Sequence, residues 1–241
     1  MKLHKSIKRA IILALSAFLL IVPFMTFPQA KDYDGTARAN NICVMNVEYG
    51  EAVFCKNADE RIAPGPSAKI LAAVLAFEHY AGNEEKPVTI TPAALENIYG
   101  SVVINLKAGD TLRAIDLIYA MVVGGASDAA NAIAIDIAGS VTTFTAMMNK
   151  KARELGATST AYANPTGLDA RGAYTTARDT AIIACYARKN QQYMKAANAK
   201  SYKIPESETF KARTVYTKNA LLANYSSDKY LYSKAEGMAV G

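Results

Sequence analysis

The sequence predicts an α+β domain, a helical middle attached to a short piece of antiparallel sheet. Three observations predict it. Two short β-type runs, residues 42–46 and 51–55, meet at a glycine bend. A succession of apolar-periodic stretches with capping residues fills residues 67–188. Strands and helices do not alternate in the way a parallel βαβ sheet requires.

Taken in order, residues 42–46 and 51–55 form a hairpin whose connection 47–50 ends at Gly50. Residues 67–80 are apolar except for Lys69, Glu78 and His79, which predicts a helix buried on most sides, with His79 a satisfied interface residue. Asp110 and Thr111 offer N-caps for a helix over 112–123, and Gly124 and Gly125 end it. Asp128 opens the next helix, through Ala138. Ser140 or Thr142 starts a third over 144–155, stopped by Gly156. Residues 163–173 read as a turn-rich loop. Thr176-x-x-Asp179 is a capping-box-like start to a helix through Arg188. Residues 202–204 and 214–217 are short strand candidates.

Composition bounds the function classes. The 241 residues are 51% hydrophobic and 20% charged, enough for one large core or two small ones. Lys2, Lys5, Lys8 and Arg9 supply four of the six net positive charges, all ahead of the apolar run 10–27. The remainder of the chain is nearly neutral and lacks a basic stripe, which excludes a nucleic-acid-tracking surface. The cationic start, the apolar run containing Pro23 and the polar segment 31–35 read as an export signal. An uncleaved anchor contacting the membrane is the alternative. Small residues at Ala30, or at Ala37 and Ala39, favour cleavage, with Ala30 the leading site. The expected organisation is a signal peptide or anchor over 1–30 and an extracytoplasmic domain over 31–241.

The two histidines and three cysteines have no metal-ligand spacing, and nothing implies a cofactor. Cys43 and Cys55 flank the hairpin turn, so they are either a cross-strand pair or buried thiols. Cys185 reads as a core residue on a helix.

The run Asn57-Ala-Asp-Glu-Arg-Ile-Ala-Pro64, continuing into Lys69-Ile70-Leu71, is succeeded by further motifs in a fixed order. They are Leu106-Lys-Ala-Gly-Asp-Thr-Leu112, Asp128-Ala-Ala-Asn-Ala132, Met148-Asn-x-Lys-Ala152 with Glu154-Leu-Gly156, Asn164-Pro-Thr-Gly-Leu-Asp169 and Tyr174-Thr-Thr-Ala-Arg-Asp179. This series resembles the low-molecular-weight penicillin-binding proteins, the serine D-Ala-D-Ala carboxypeptidases of peptidase family S11. The resemblance implies the penicillin-binding/transpeptidase-like fold with its helical subdomain. It also implies a peptidoglycan stem peptide as partner and an acyl-enzyme mechanism without a metal. In that family a Ser attacks the penultimate D-Ala carbonyl, and a Lys three residues later takes its proton. A Ser-x-Asn motif lines the cleft, and a Lys-Thr-Gly strand binds the substrate carboxylate.

Each motif is altered here. Pro-x-Ser-x-x-Lys-Ile falls on Pro64-Gly-Pro66-Ser-Ala-Lys69-Ile70, so Pro66 holds the nucleophile position while Lys69, the general base, is retained. Proline also lacks the backbone N–H that the family uses as an oxyanion donor. Ser67 is about 200° round a helix from Lys69, so the two side chains diverge. The second motif falls on Gly125-Ala-Ser127, with Gly125 at the Ser position and Ser127 at the Asn position. The third falls on Gly237-Met-Ala239-Val240-Gly241, with Ala239 and Val240 in place of Lys and Thr.

The family's sheet continues beyond this last motif. A domain incomplete at its C-terminus, with a truncated antiparallel sheet, is therefore expected, and with it self-association of the isolated chain. Three functional readings are open: a catalytically impaired exported homologue, a divergent active carboxypeptidase, or a non-functional fragment.

Overall fold

The computed structural model describes residues 31–32, 39–222 and 236–237. The expected signal segment and the third-motif positions Ala239 and Val240 lie outside the described residues.

The hairpin forms as expected. β2 (Ile42–Asn46) and β3 (Glu51–Lys56) run antiparallel. The turn closes because Asn46 Oδ1 accepts the N–H groups of Glu48 at 2.9 Å and Tyr49 at 3.2 Å. Gly50, at φ +69°, then donates its N–H to Asn46 O at 2.8 Å. The left-handed conformation is one that glycine alone adopts without steric cost. β1 (Lys31–Asp32) joins β3 in parallel, giving the order β1-β3-β2. That parallel pair departs from the antiparallel expectation. Among the described residues, β2 is an edge strand.

α1 (Ala68–His79) comes after a 3-10 turn, Gly65–Ser67, and forms the centre of the molecule. Leu71, Ala73 and Ala76 are fully buried. With apolar side chains nearly all round, it needs neighbours on every side. These are α2 (Ala114–Gly124), α3 (Ser127–Ala138), α4 (Val141–Glu154), α5 (Ala177–Arg188) and α6 (Gln191–Ala197). Ser140 caps α4 by accepting Thr143 N–H at 3.0 Å, and Thr176 caps α5 by accepting Asp179 N–H at 3.0 Å.

Four expectations are corrected. The helix expected over 112–123 begins at Ala114, because β5 (Thr111–Arg113) pairs with β4 (Pro87–Thr89). Asp110 is no N-cap; its carboxylate accepts Lys107 N–H at 2.8 Å and closes the preceding loop. His79 is exposed, with its ring edge against Tyr80, since Phe77 and Tyr80 take the core-facing positions of that turn. Cys185 is half-buried. α6, which sequence reasoning missed, is capped by Asn190 accepting Tyr193 N–H at 2.9 Å and anchored by buried Tyr193. β6 (Ser201–Ile204) and β7 (Arg213–Tyr216) form the expected antiparallel pair and pack on α2.

Candidate active-site cleft

Three chain segments converge where α1 begins. The first is the 3-10 turn carrying Pro66. Ile62 exchanges two backbone hydrogen bonds with Thr175, at 2.9 and 2.8 Å. Asp59 receives both the Nε and an Nη of Arg178, at 2.6 and 2.9 Å. These links tie the approach to α1 onto the start of α5.

The second segment is the loop 164–168. Asn164 organises it: Oδ1 accepts Thr166 Oγ1–H and Gly167 N–H, each at 2.8 Å, and Nδ2 donates to Leu168 O at 2.9 Å. Gly167 sits at φ +76°, and a Cβ there would lie 1.7 Å from Gly65 O. Only a glycine lets this loop close down on the Gly65–Pro66 backbone.

The third is the turn from α2 into α3. Gly125, at φ +74°, ends α2, and the N–H groups of Gly125 and Ala126 donate to Met121 O and Ala120 O, each at 3.1 Å. Buried Asp128 then accepts the N–H groups of Ile104 and Leu106, each at 3.1 Å, fixing the strip 102–106 along the same wall. Burial pushes the Asp128 carboxyl upward, opposed by those backbone donors. Ser127 N–H completes the wall by donating to Val102 O at 2.8 Å.

Together these segments enclose a cavity of about 350 Å³. Pro66, Lys69, Gly125 and Ser127, four of the six positions singled out from sequence, all line it. Lys69 is 9% exposed and donates from Nζ to Thr166 O at 2.6 Å. Burial, with a smaller contribution from the charge of Lys218, holds the pKa of its ammonium down to about 8. Ser67 diverges as its helical spacing requires. Its hydroxyl donates to Pro64 O at 2.6 Å, and its side chain lines a separate cavity of about 910 Å³ between β2 and α5.

Three hydroxyls line the smaller cavity. Ser101 donates to Ile98 O at 2.6 Å and Thr166 donates to Asn164, so both are committed. The Ser127 hydroxyl is buried and has no partner in the structure. Sequence reasoning missed Ser101, the Thr166 carbonyl, Asp169 and Lys218, which all reach this cavity. Asn164-Pro-Thr-Gly-Leu-Asp169 was visible as a motif, whereas Lys218 carried no local signal. Gly237, two residues before Ala239, donates its N–H to Asn198 Oδ1 at 2.7 Å, beside the end of α6. Among the described residues, no cluster of three His, Cys, Asp or Glu side chains could hold a metal ion.

This arrangement has close counterparts. A family model described as D-alanyl-D-alanine carboxypeptidase, peptidase S11, matches residues 27–231. The chain is 31% identical over 179 residues to the D-alanyl-D-alanine carboxypeptidase DacF of Bacillus subtilis, covering 70% of this chain and 46% of the relative. It is 31% identical over 180 residues to DacC of Escherichia coli, covering 70% and 44%. The chain thus spans under half the length of these two relatives. Among solved structures, the D-alanyl-D-alanine carboxypeptidase DacD of Francisella tularensis superimposes with a TM-score of 0.65 at 31% identity, over 71% of this chain and 42% of that one. A mutant of a Streptomyces DD-transpeptidase superimposes with a TM-score of 0.72 at 27% identity, over 80% and 78%.

Proposed function

The chain belongs to the D-alanyl-D-alanine carboxypeptidase family of S11 peptidases, and on that premise we propose that it is an exported, catalytically impaired member whose cleft receives peptidoglycan stem peptides without cleaving them efficiently. The observation that carries this reading is Pro66. It stands at the mouth of the cavity three residues before Lys69, where the family chemistry needs a serine. In that chemistry a serine Oγ bonds to the penultimate D-Ala carbonyl carbon, the lysine accepts the hydroxyl proton, and the C–N bond to the terminal D-Ala then breaks as the amine is protonated. Water hydrolyses the resulting ester.

Here the first step lacks its oxygen, and Lys69 donates to Thr166 O in place of accepting a proton. Losing a nucleophile typically costs about 10⁶-fold in turnover, and losing one oxyanion donor about 10²–10³-fold. Pro66 removes both groups, while Ser67 is turned toward Pro64. A second reading, a divergent active carboxypeptidase, is favoured by one observation, the unpartnered Ser127 hydroxyl in the same cavity as Lys69.

Labelling with a fluorescent β-lactam separates the two. The native chain should give no covalent band above a denatured control, and Pro66→Ser alone only a trace, because Gly125 and Ser127 still replace the second motif. Saturable labelling of the unmodified chain, competed by excess penicillin and mapped to Ser127, would establish the second reading and overturn the first. Export is tested by N-terminal sequencing from the native host, where a mature start just after Ala30 is expected and an intact Met1 in the cytosol would refute it.

A further inference from the structure

Cys43, Cys55 and Cys185 are far apart in sequence, yet all three meet in the layer between the β2–β3 hairpin and α5, away from the cavity that holds Lys69. Cys43 stands directly opposite Cys55 in the antiparallel register, and the Cys55 thiol donates to Cys43 Sγ at 3.5 Å. Met45, two residues further along β2, lines the same cavity of about 910 Å³ as Cys43. That step along a strand is about 7 Å, within reach of an unbranched side chain with three rotatable bonds. Cys185 borders the cavity from the α5 side.

Two thiols and a thioether make a soft donor set. Such sulfur ligands select soft ions such as Cu(I), whereas structural zinc takes four ligands. Among the described residues no third Cys, His, Asp or Glu joins the pair, so a four-coordinate ion finds too few donors and Cys185 stays outside the set. Metal–sulfur bonds of about 2.3 Å at a trigonal centre put two sulfurs about 4 Å apart. From 3.5 Å the pair opens by only about half an ångström, which small χ1 adjustments within one rotamer well supply. Burial and the neighbouring Cys55 push the Cys43 thiol up to about 12, and the charge of Arg178 at the start of α5 opposes the rise. Cys43 therefore keeps its proton until a cation displaces it.

We propose that Cys43 and Cys55, with the Met45 thioether as third ligand, form a binding site for a soft monovalent metal ion, Cu(I), separate from the peptide cleft. On binding, a sulfur–copper bond forms at each thiol, both thiol protons pass to water, and copper stays Cu(I) with no electron transferred. The dithiolate complex is left with a net negative charge, which the Arg178 guanidinium favours. The bound ion ties β2 to β3 just ahead of Asp59, the residue that holds Arg178. The site stands whether or not the cleft receives stem peptides.

Anaerobic titration of the reduced native chain with Cu(I) held by bicinchoninate tests it, read from the absorbance of the copper–bicinchoninate complex. The native chain should withdraw one Cu(I) and gain a sulfur-to-copper charge-transfer band in the ultraviolet. Cys43→Ser and Cys55→Ser should each weaken binding by more than about a hundredfold, beyond the loss that follows removal of an outer partner. Met45→Leu should weaken it about tenfold, and Cys185→Ser should leave it unchanged. Failure of the native chain to withdraw copper, or equal uptake by Cys43→Ser, would overturn the site. A loss in Cys185→Ser as large as in Cys43→Ser would place the ion elsewhere and overturn it too, and an unchanged Met45→Leu would overturn the three-ligand set. One arm needs no substitution and so does not depend on how a variant folds. The native chain with Cys43 and Cys55 first oxidised to a disulfide should withdraw no copper, and undiminished uptake by that form would refute the proposal.

Discussion

Replacing Lys69 with methionine should stabilise the protein, by an amount that depends on pH. Lys69 is 9% exposed, and the pKa of its ammonium falls from 10.5 to about 8, chiefly through burial. A shift of that size corresponds to about 3 kcal/mol against the charged form in the folded state. Methionine has a similar length and no charge, but it leaves Thr166 O without its donor, costing about 1 kcal/mol. The expected net gain near pH 6 is about 2 kcal/mol, or roughly 4–8 °C in Tm for a chain of this size. Below pH 8 both folded and unfolded chains carry the proton and the gain is at its full value. Between pH 8 and 10.5 the folded lysine loses its proton first. The unfolded chain then holds more protons, native stability climbs with pH, and the advantage of methionine shrinks. Urea unfolding of both chains at pH 6 and pH 10 measures the difference directly. A Lys69→Met variant less stable at pH 6, or one with equal gains at both pH values, would refute the claim that burial strains this ammonium.

Two further perturbations test the scaffold. Gly167→Ala forces a left-handed alanine and drives its Cβ into Gly65 O, so a loss of about 2–4 kcal/mol is expected by chemical denaturation. Gly139→Ala, at φ +77° with nothing within 4 Å, should lose only about 1–2 kcal/mol, and equal losses would show that the loop does not press on the Gly65–Pro66 turn. Cys43 and Cys55 face each other in the β2–β3 register with sulfurs 3.5 Å apart, so oxidised glutathione should remove these two thiols. Stability should then rise by about 2–3 kcal/mol. Thiol counting with peptide mapping checks it, and persistence of both thiols alongside oxidation of Cys185 would contradict the geometry.

Features that depend on neighbours in sequence were legible from sequence. The Gly50 turn, the Ser140 and Thr176 caps and the glycine stop at Gly125 all act within a few residues, and all stand where the pattern placed them. The divergence of Ser67 from Lys69 needed only the helical repeat. Asp110 misled because an aspartate before an apolar run serves equally as an N-cap or as a loop clamp, and pairing of β4 with β5 decides between them. Three-residue strands carry too little alternation to announce themselves. Lys218 and the Thr166 carbonyl join the cleft only through tertiary closure, by the packing of Val215 on Gly124 and of Gly167 on Gly65. No local signal foretells that closure.

On the proposed reading, in which the catalytic motifs are altered, the same distinction explains how the cleft keeps its shape. Its walls are held by side chains that bond to backbone, Asp128 to Ile104 and Leu106 and Asn164 to Gly167 and Leu168, and by the side-chain pair of Arg178 with Asp59 on the approach to α1. None of these is a substituted position. Of the substituted positions among the described residues, Pro66 and Gly125 occupy ends of elements, where the fold is indifferent to the change or gains from it. Proline at position 66 stands in an opening helical turn, where its missing N–H leaves no bond unmade. Glycine at position 125 adopts φ +74°, and serine there would meet a left-handed cost of about 1–2 kcal/mol. Restoring the second-motif serine therefore works against the helix stop that now shapes the cleft. A revertant would need backbone movement at the end of α2 as well as the hydroxyl, and for that reason motif restoration by point substitution should recover β-lactam acylation far less than additively.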